Sequence, residues 1–471
     1  MISYFILNVM EGKSMDTKVG LKKIVVSLNS VFLFAILTAN YTYTWYNYYN
    51  ANMGLFKFQK RGNWLAIALY CAILIVFLKV FEALKVGYLK KQNIIYSQAL
   101  SIISVNFITY FQTSLVSRKL VAVNPLLALT AIDFFIAALW ALLASFIYSK
   151  LYPPRKLVII YGSSLATELV YKMSQRYDKY RICYSLNIDS GLDAIIETIP
   201  QFDGVVICDV PSKIRNDILK YCYENSIRTY VTPKISDIIV RSAENIDLFD
   251  TPILLCRNTG LNLWQSFWKR ITDVILSLIA LIIFSPFMII IALAIKLYDK
   301  GPVFYKQKRT TINGKVFDIL KFRSMIVDAE KDNKSIPATD HDPRITPVGR
   351  IIRAIRLDEL PQIINILIGD MSIVGPRPER IEHVEEFSKE IPEFKFRLKV
   401  KGGLTGYAQV YGKYNTTAYD KLRLDLMYIQ HYSLLLDLKL ILSTVKILFM
   451  KESTEGFDKS VKNQIENEDN K

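Results

Sequence analysis

Stretches of predominantly apolar residues recur along the first third of the chain, at about 22–43, 64–81, 97–116 and 125–148. Each approaches the roughly 20 residues that a helix needs to cross a bilayer. Beyond Arg155 the pattern shortens to runs typical of buried strands, LVII (157–160), VVIC (205–208) and TYVT (229–232), separated by helix-like segments. Such alternation predicts a small parallel sheet in a soluble α/β module. A fifth apolar run follows at 271–297, with Ser285-Pro286 at its centre. Proline removes a backbone donor there, so a helix must kink, and the serine hydroxyl can satisfy the freed carbonyl. Phe304 to Phe322 reads as two strands around Asn313-Gly314, a strong hairpin signal. A helix is expected at 417–431, and 433–450, apolar with Asp437, Lys439 and Lys446 interspersed, suits a helix lying in the membrane interface. The polar residues beyond Lys451 are expected to be disordered.

Four spans put both ends of that block on one side. Lys18, Lys22 and Lys23, then Lys85, Lys90 and Lys91, then Lys150, Arg155 and Lys156 favour the cytoplasm, while Lys57, Lys60 and Arg61 run against that rule. The first twenty residues lack a compact apolar core followed by a small-residue cleavage site, so the first span is expected to remain as an anchor. The Tyr41–Tyr49 run, rich in aromatics, suits an interfacial belt.

Composition fits this picture: 51% of the 471 residues are hydrophobic, too many for an ordinary soluble protein. The net charge of +16 fits nucleic acid, anionic lipid or phosphorylated substrate. No nucleic-acid module is present, which leaves lipid and substrate phosphates. Five cysteines (71, 183, 208, 222, 256) have no metal or disulfide spacing and suit a reducing cytosolic face. Three histidines (341, 383, 431) are too scattered to propose a metal site. After the first soluble strand comes YGSSLAT, where only Gly162 fits a dinucleotide-binding turn, so a structural or regulatory module is expected.

The candidate chemistry lies at 344–379. Asp358 and Glu359 are adjacent, Arg344, Arg350, Arg353 and Arg356 precede them, and Arg377 stands between prolines in GPRP, a rigid loop. A carboxylate attacks phosphorus only if the substrate's charge is neutralised, which arginines and a divalent cation do. Spacing at i, i+3 and i+6 predicts Arg350, Arg353 and Arg356 on one helix face, with the two acids pointing about 100° apart. Different jobs follow: one acid attacks while its neighbour holds a cation. Alone, the RLDE string reads as a solvated helix with ordinary ion pairs; its surroundings change that.

GPVFYKQKRTTINGKVFDILKFRSM (301–325), RLDELPQ, VGPRPE, GLTGYAQV and LRLDLMYIQHYSLLLDLKLIL, in that order, resemble the bacterial sugar transferase domain of the polyprenyl glycosylphosphotransferases. The likeness is close over about 264–452, and the whole chain resembles, more loosely, the long form of that family. It implies a bacterial cytoplasmic-membrane protein with four transmembrane helices in a bundle (1–150) and a Rossmann-like cytosolic domain (151–261). A re-entrant membrane helix (262–300), an α+β catalytic domain on the cytoplasmic face (301–452) and a disordered tail (453–471) would follow. A fifth crossing would put the acid pair outside, so 271–297 is expected to enter and leave on one side about Ser285 and Pro286.

The resemblance further implies transfer of a sugar 1-phosphate from a UDP-sugar to undecaprenyl phosphate, giving UMP, through a phospho-aspartyl intermediate on Asp358. Glu359, with Asp358, would hold Mg2+. Lys321, Arg323, Arg353 and Arg377 would hold phosphate oxygens, and Asp425 and Tyr428 would face the nucleotide or sugar. Expected partners are the bilayer, a second copy of the chain and downstream glycosyltransferases, with no nucleic acid. Lys401-Gly402, Tyr407 and Ala354-Ile355-Arg356 depart from the family's usual Arg-Pro, Trp and Arg-Thr-Ser. Two readings from other classes stand beside this one: a transporter or channel, and a nucleotide-binding regulator without catalysis. Lys79 and Asp133, the main charges within the spans, bear on the first.

Overall fold

The apolar runs of the first 151 residues form α1 (Met15–Thr44), α2 (Lys60–Val80), α3 (Lys91–Val116) and α4 (Asn124–Leu151). The computed structural model describes residues 15–52, 58–163, 165–248, 250–256, 260–327, 329, 342–412 and 416–448; Lys57, His341 and the tail expected at 453–471 lie outside them. Five helices among the described residues are long and apolar enough to cross a membrane, these four and one later in the chain. Leu33, Leu37 and Tyr41 of the first, and Trp45 just beyond it, pack on Tyr70, Leu74 and Leu78, on Ile94 and Ile102, and on Ala137 and Ala141. The i, i+4 recurrence is what turns one stripe of a helix inward. It also divides the aromatic run: Tyr41, Trp45 and Tyr49 are buried, and only Tyr43, Tyr46 and Tyr48 remain exposed to serve as a belt. Tyr41 stacks on Tyr70 with centroids 3.8 Å apart. Buried polar groups find one another, Asn40 Nδ2 donating to Asp133 Oδ1 at 3.0 Å and Trp45 Nε1 to Asn63 Oδ1 at 2.9 Å.

The same unit, Met1–Thr232, carries a sheet. Strands β1 (Arg155–Tyr161), β2 (Tyr180–Asn187), β3 (Gly204–Cys208) and β4 (Arg228–Val231) pair in parallel in the order β2-β1-β3-β4. Helices α5 (Leu165–Ser174), α6 (Leu192–Thr198) and α7 (Ser212–Glu224) make the crossovers. Two of the strand runs read from sequence, LVII and VVIC, are the central strands β1 and β3, and TYVT falls on the edge strand β4; Leu157, Val158, Ile159 and Ile160 are fully buried. At the carboxyl ends of β1 and β3, where ligands of such sheets bind, the two turns touch. A Cβ on Gly162 would lie 2.6 Å from the Asp209 carbonyl oxygen. The sheet joins the helices at the turn between α2 and α3, where Arg176 donates to the carbonyls of Gly87 and Tyr88.

The second unit is Pro233–Lys471, so the boundary falls before the expected 261. The reason is α8 (Ile235–Arg241), which buries Ile235 and Ile238 among Val374, Phe394, Leu422 and Leu426 rather than against the parallel sheet. A hairpin, β5 (Glu244–Leu248) and β6 (Thr251–Leu255), leads to α9 (Leu263–Asp299). Then come β7 (Phe304–Thr310) and β8 (Val316–Phe322), the hairpin expected around Asn313-Gly314. Asn313 and Gly314 both have positive φ, 55° and 78°, the backbone for which Asn-Gly is suited. Helices α10 (Pro347–Ala354) and α11 (Gln362–Ile368), strand β9 (Ser372–Val374), helix α12 (Ile381–Glu390), strand β10 (Gly403–Thr405) and helices α13 (Tyr407–Tyr411), α14 (Ala418–Gln430) and α15 (Leu434–Leu448) complete the unit. β9 and β10 pair in parallel.

Helix α9 differs from a helix–break–helix in that it continues through Pro286. Ser285 Oγ donates at 3.0 Å to the Ile282 carbonyl, the acceptor that proline at the i+4 position leaves without its usual partner. Both ends of α9 dock on the second unit. Near its start Lys269 Nζ lies 2.6 Å from Asp437 Oδ2 and Asp273 Oδ1 accepts from Ile373 N at 3.0 Å. Near its end Ile291 and Ile295 pack on Phe322 and Ile352, and Asp299 pairs with Arg323. Between them Ile275, Ile279, Ile282, Ile283 and Phe287 are exposed. Asp437 faces inward, so α15 shows solvent Leu434, Leu435 and Leu438.

The joint at Gly87 yields a test. Its φ is +82°, and a Cβ there would lie 2.1 Å from the Tyr148 ring. Gly87→Ala combines left-handed strain with overpacking and is expected to cost about 2 kcal/mol or more, measured as a lower unfolding temperature of the purified protein.

Candidate active site

The acid pair sits in a break between helices rather than on one. Thr346 caps α10 by accepting from Gly349 N at 2.9 Å, and Pro347 fills the first position, where its missing N–H costs nothing. The helix ends at Ala354, because Arg356 takes a left-handed conformation (φ 54°) and starts a 3₁₀ turn over Leu357–Glu359. The predicted single face of Arg350, Arg353 and Arg356 is therefore broken after Arg353. Arg344 turns to Asp342, 2.6 Å away, and Arg350 and Arg356 are exposed. Leu357 and Leu360, on either side of the acids, pack against the Ile291–Ile295 end of α9 and Ile352. Hydrophobic burial of its flanks thus fixes the turn.

Two cations converge on one oxygen. Lys321 Nζ lies 2.9 Å and Arg377 NH2 2.7 Å from Glu359 Oε1. Burial works to raise the Glu359 carboxyl, but Arg377 and Lys321 outweigh it and hold it well below the usual carboxylate range. At Asp358, by contrast, burial dominates and raises the carboxyl against the pull of Lys321. Burial lowers the Lys321 ammonium, with Glu359 opposing it, while Glu359 raises the Arg377 guanidinium. Adjacent acids in contrasting environments are what separate roles require.

Each cation is delivered by a built element. Lys321 ends the inward row of β8, which α11 supports through Asn365: its Nδ2 donates to Asp318 O and its Oδ1 accepts from Leu320 N, both at 2.9 Å. Arg377 stands on the 375–379 loop, where Gly375, Gly403 and Gly406 meet backbone to backbone. A Cβ on Gly403 would fall 2.1 Å from Gly375 N, and one on Gly406 2.1 Å from Gly375 O. Arg353 NH1 reaches Ser324 Oγ at 3.5 Å.

Three expected site residues are placed elsewhere. Arg323 lies beyond the last residue of β8 and so leaves the strand's alternation; it pairs with Asp299 at the end of α9 instead of joining Lys321. Asp425 and Tyr428 share a face of α14, as expected, but it is the buried face. Asp425 Oδ2 lies 2.8 Å from Arg397 NH2, and burial pushes its carboxyl up to about 6. Tyr428 donates to Asp437 Oδ1 at 2.8 Å and to Val374 O at 3.2 Å. Neither side chain presents itself to a nucleotide or sugar; both brace the strand and loop that carry Arg377. Sequence reading missed Asn365 and Arg397, each a polar residue within an otherwise apolar row, and Lys269, which with Asp273 and Ser277 forms a polar row along the otherwise apolar α9.

Among the described residues no group of three or more His, Cys, Asp or Glu side chains could hold a metal by itself. Asp358 and Glu359 Oε2 form a two-carboxylate donor set, and Mg2+ is commonly held by one or two carboxylates with substrate phosphates completing its shell. The residues present fit such an ion.

The part of the chain that holds this site resembles known proteins. The family model for bacterial sugar transferase matches residues 264–451, the stretch that holds every site residue above. A UDP-glucose:undecaprenyl-phosphate glucose-1-phosphate transferase of Caulobacter vibrioides is 40% identical over 191 residues, 39% of this chain and 71% of that one. One of Klebsiella pneumoniae with the same name is 37% identical over 267 residues, 56% of each chain. A UDP-N-acetylgalactosamine-undecaprenyl-phosphate N-acetylgalactosaminephosphotransferase of Aeromonas hydrophila is 41% identical over 186 residues, 39% of this chain and 44% of that one. The chain belongs to the bacterial sugar transferase family. It spans about half the length of the first curated relatives it matches, 56% and 42%.

The ion pairs give a prediction. Glu359→Gln leaves Lys321 and Arg377 without their counter-charge, and Lys321→Met leaves Glu359 short of one. The double variant should recover part of the loss, with a coupling of about 1–3 kcal/mol in unfolding experiments at pH 7. Since the folded carboxyl is held low, this contribution is complete above the usual glutamate range and fades only as pH falls through the depressed value.

Proposed function

We propose that the protein transfers a sugar 1-phosphate from a UDP-sugar to undecaprenyl phosphate. The observation that carries this reading is the contrast between neighbours: Glu359 ion-paired with Lys321 and Arg377, and Asp358 beside it, half-buried and without such a clamp. In the first step an Asp358 carboxylate oxygen attacks the phosphorus that bears the sugar. The bond from that phosphorus to the bridging oxygen breaks, and UMP leaves with the electron pair. In the second step an oxygen of the lipid phosphate attacks the same phosphorus and Asp358 departs as carboxylate, giving the undecaprenyl-diphosphate-sugar. Arg377, Lys321 and Arg353 bind and orient phosphate oxygens; the planar fork of arginine suits them. Asp358 and Glu359 would hold Mg2+, which supplies charge neutralisation on those oxygens when bound.

The relatives' names support the two substrates. Their variety, glucose in some and N-acetylgalactosamine in another, leaves the sugar to experiment. We read the four N-terminal helices as a transmembrane bundle of a bacterial cytoplasmic-membrane protein. The sheet at 155–231 reads as a Rossmann-like module without dinucleotide, in keeping with the contact of Gly162 and Asp209. We read α9 as entering and leaving on the cytoplasmic side. Support comes from its two docked ends: a crossing would place Lys269 and Asp299, both paired to the same unit, on opposite sides of roughly 30 Å of hydrocarbon.

Two outcomes are expected. Asp358→Asn keeps the shape and loses the nucleophile, so it should release no UMP even without acceptor; Glu359→Gln should retain a trace that higher Mg2+ partly restores. Mass spectrometry after incubation with UDP-sugar alone should find the adduct on Asp358, and an adduct on Glu359 would reverse the assignment. Pro286→Leu gives Ile282 O its backbone partner and should favour crossing. Cysteine labelling of the two flanks from each side of the membrane reads this directly, and flanks on opposite sides in the unaltered protein would sink the re-entrant reading.

A further inference from the structure

We propose that Arg397 is a positioning residue for Arg377: from behind the 375–379 loop it fixes where the Arg377 guanidinium stands relative to Glu359. The inference rests on the reading of the site given above, since it assigns Arg377 to phosphate.

The loop has little backbone bonding of its own. Pro376 and Pro378 supply no N–H. Gly375 N donates to Thr405 O at 2.8 Å, and Gly403 N donates to Pro376 O at 2.9 Å. Glu379 O accepts from Thr310 N at 3.0 Å, and the two carbonyls between, those of Arg377 and Pro378, accept from arginine side chains instead. Arg397 NH2 donates to Arg377 O at 3.0 Å and Arg309 NH1 to Pro378 O at 3.1 Å. Arg397 does more than one job at this place. Its NH2 lies 2.8 Å from Asp425 Oδ2, its NH1 3.6 Å from Glu379 Oε1, and its guanidinium stands over the Phe394 ring. One side chain, 3% exposed, thus ties the middle of the loop, its far end and α14 together.

What lies behind the loop shows why this tie matters. A cavity of about 10 Å3, room for one water, is bounded by Thr310, Glu379, Arg397 and Gly402 among others. Arg397 Nε and Thr310 Oγ1 find no protein partner. The packing behind the loop, to which Val384, Leu398 and Val400 also contribute, thus leaves a gap at this point, and Arg397 stands beside it as a polar strut. A fork with several fixed donors can hold a carboxylate and a carbonyl at once; an ammonium cannot reproduce that spacing.

The test uses the purified full-length protein with Arg397→Met and Arg397→Lys. The lysine variant keeps a cation beside Asp425 should the methionine variant fail to fold. Hydrogen exchange of peptides over 374–380 should rise about tenfold or more while the rest of the second unit is unchanged. Affinity for UDP, the probe, should fall about tenfold, and that fall should vanish in an Arg377→Ala background, because a residue acting through another couples to it. Unchanged loop exchange in a folded variant, acceleration spread over the whole unit, or equal loss of UDP affinity with and without Arg377 overturns the inference. Failure of the unaltered protein to release UMP would count against the transfer reading, while loop-confined exchange and coupling to Arg377 would still uphold the role of Arg397.

Discussion

The meeting of two cations on one oxygen of Glu359 is the constraint on which the site depends. A buried carboxylate is costly unless paired, so Lys321 and Arg377 must arrive together, from elements far apart in sequence. Each arrival makes demands behind it. Lys321 needs β8 held in register, which Asn365 provides by bonding the strand's edge as a neighbouring strand would. Arg377 needs a loop that backbone contact with glycines and two arginines, Arg309 and the buried Arg397, hold still. Beneath the acids, Leu357 and Leu360 rest on α9, so the same apolar helix that carries the exposed isoleucines also sets the floor of the site.

Much of this was legible in the chain. Runs of apolar residues located the long helices because length and composition alone decide whether a helix can cross a bilayer. Asn313-Gly314 located the hairpin because few other pairs accept positive φ at consecutive positions. Lys321 and Arg377 pair with Glu359, the neighbour of Asp358. Ser285 reaches the carbonyl freed by Pro286, a local consequence of proline chemistry.

What could not be read depends on contacts between distant segments. Periodicity carried Arg350, Arg353 and Arg356 along one helix, and a single left-handed residue at Arg356 ended it, a choice that packing of Leu357 and Leu360 makes and spacing cannot reveal. Arg323 seemed to accompany Lys321 until the strand stopped one residue short. Asp425 and Tyr428 do share a face, but which face is inside depends on Arg397 and Asp437. Ile235 and Ile238 moved the domain boundary because their partners, from Val374 to Leu426, lie more than a hundred residues away.

The three glycines at 375, 403 and 406 carry one more consequence. Where backbones touch, no side chain can be added and the loop has no slack to rearrange around ligands of different size. On the transfer reading, a part this unyielding suits the diphosphate that all UDP-sugars have in common. Choice among hexoses must then be made by residues outside this clamp.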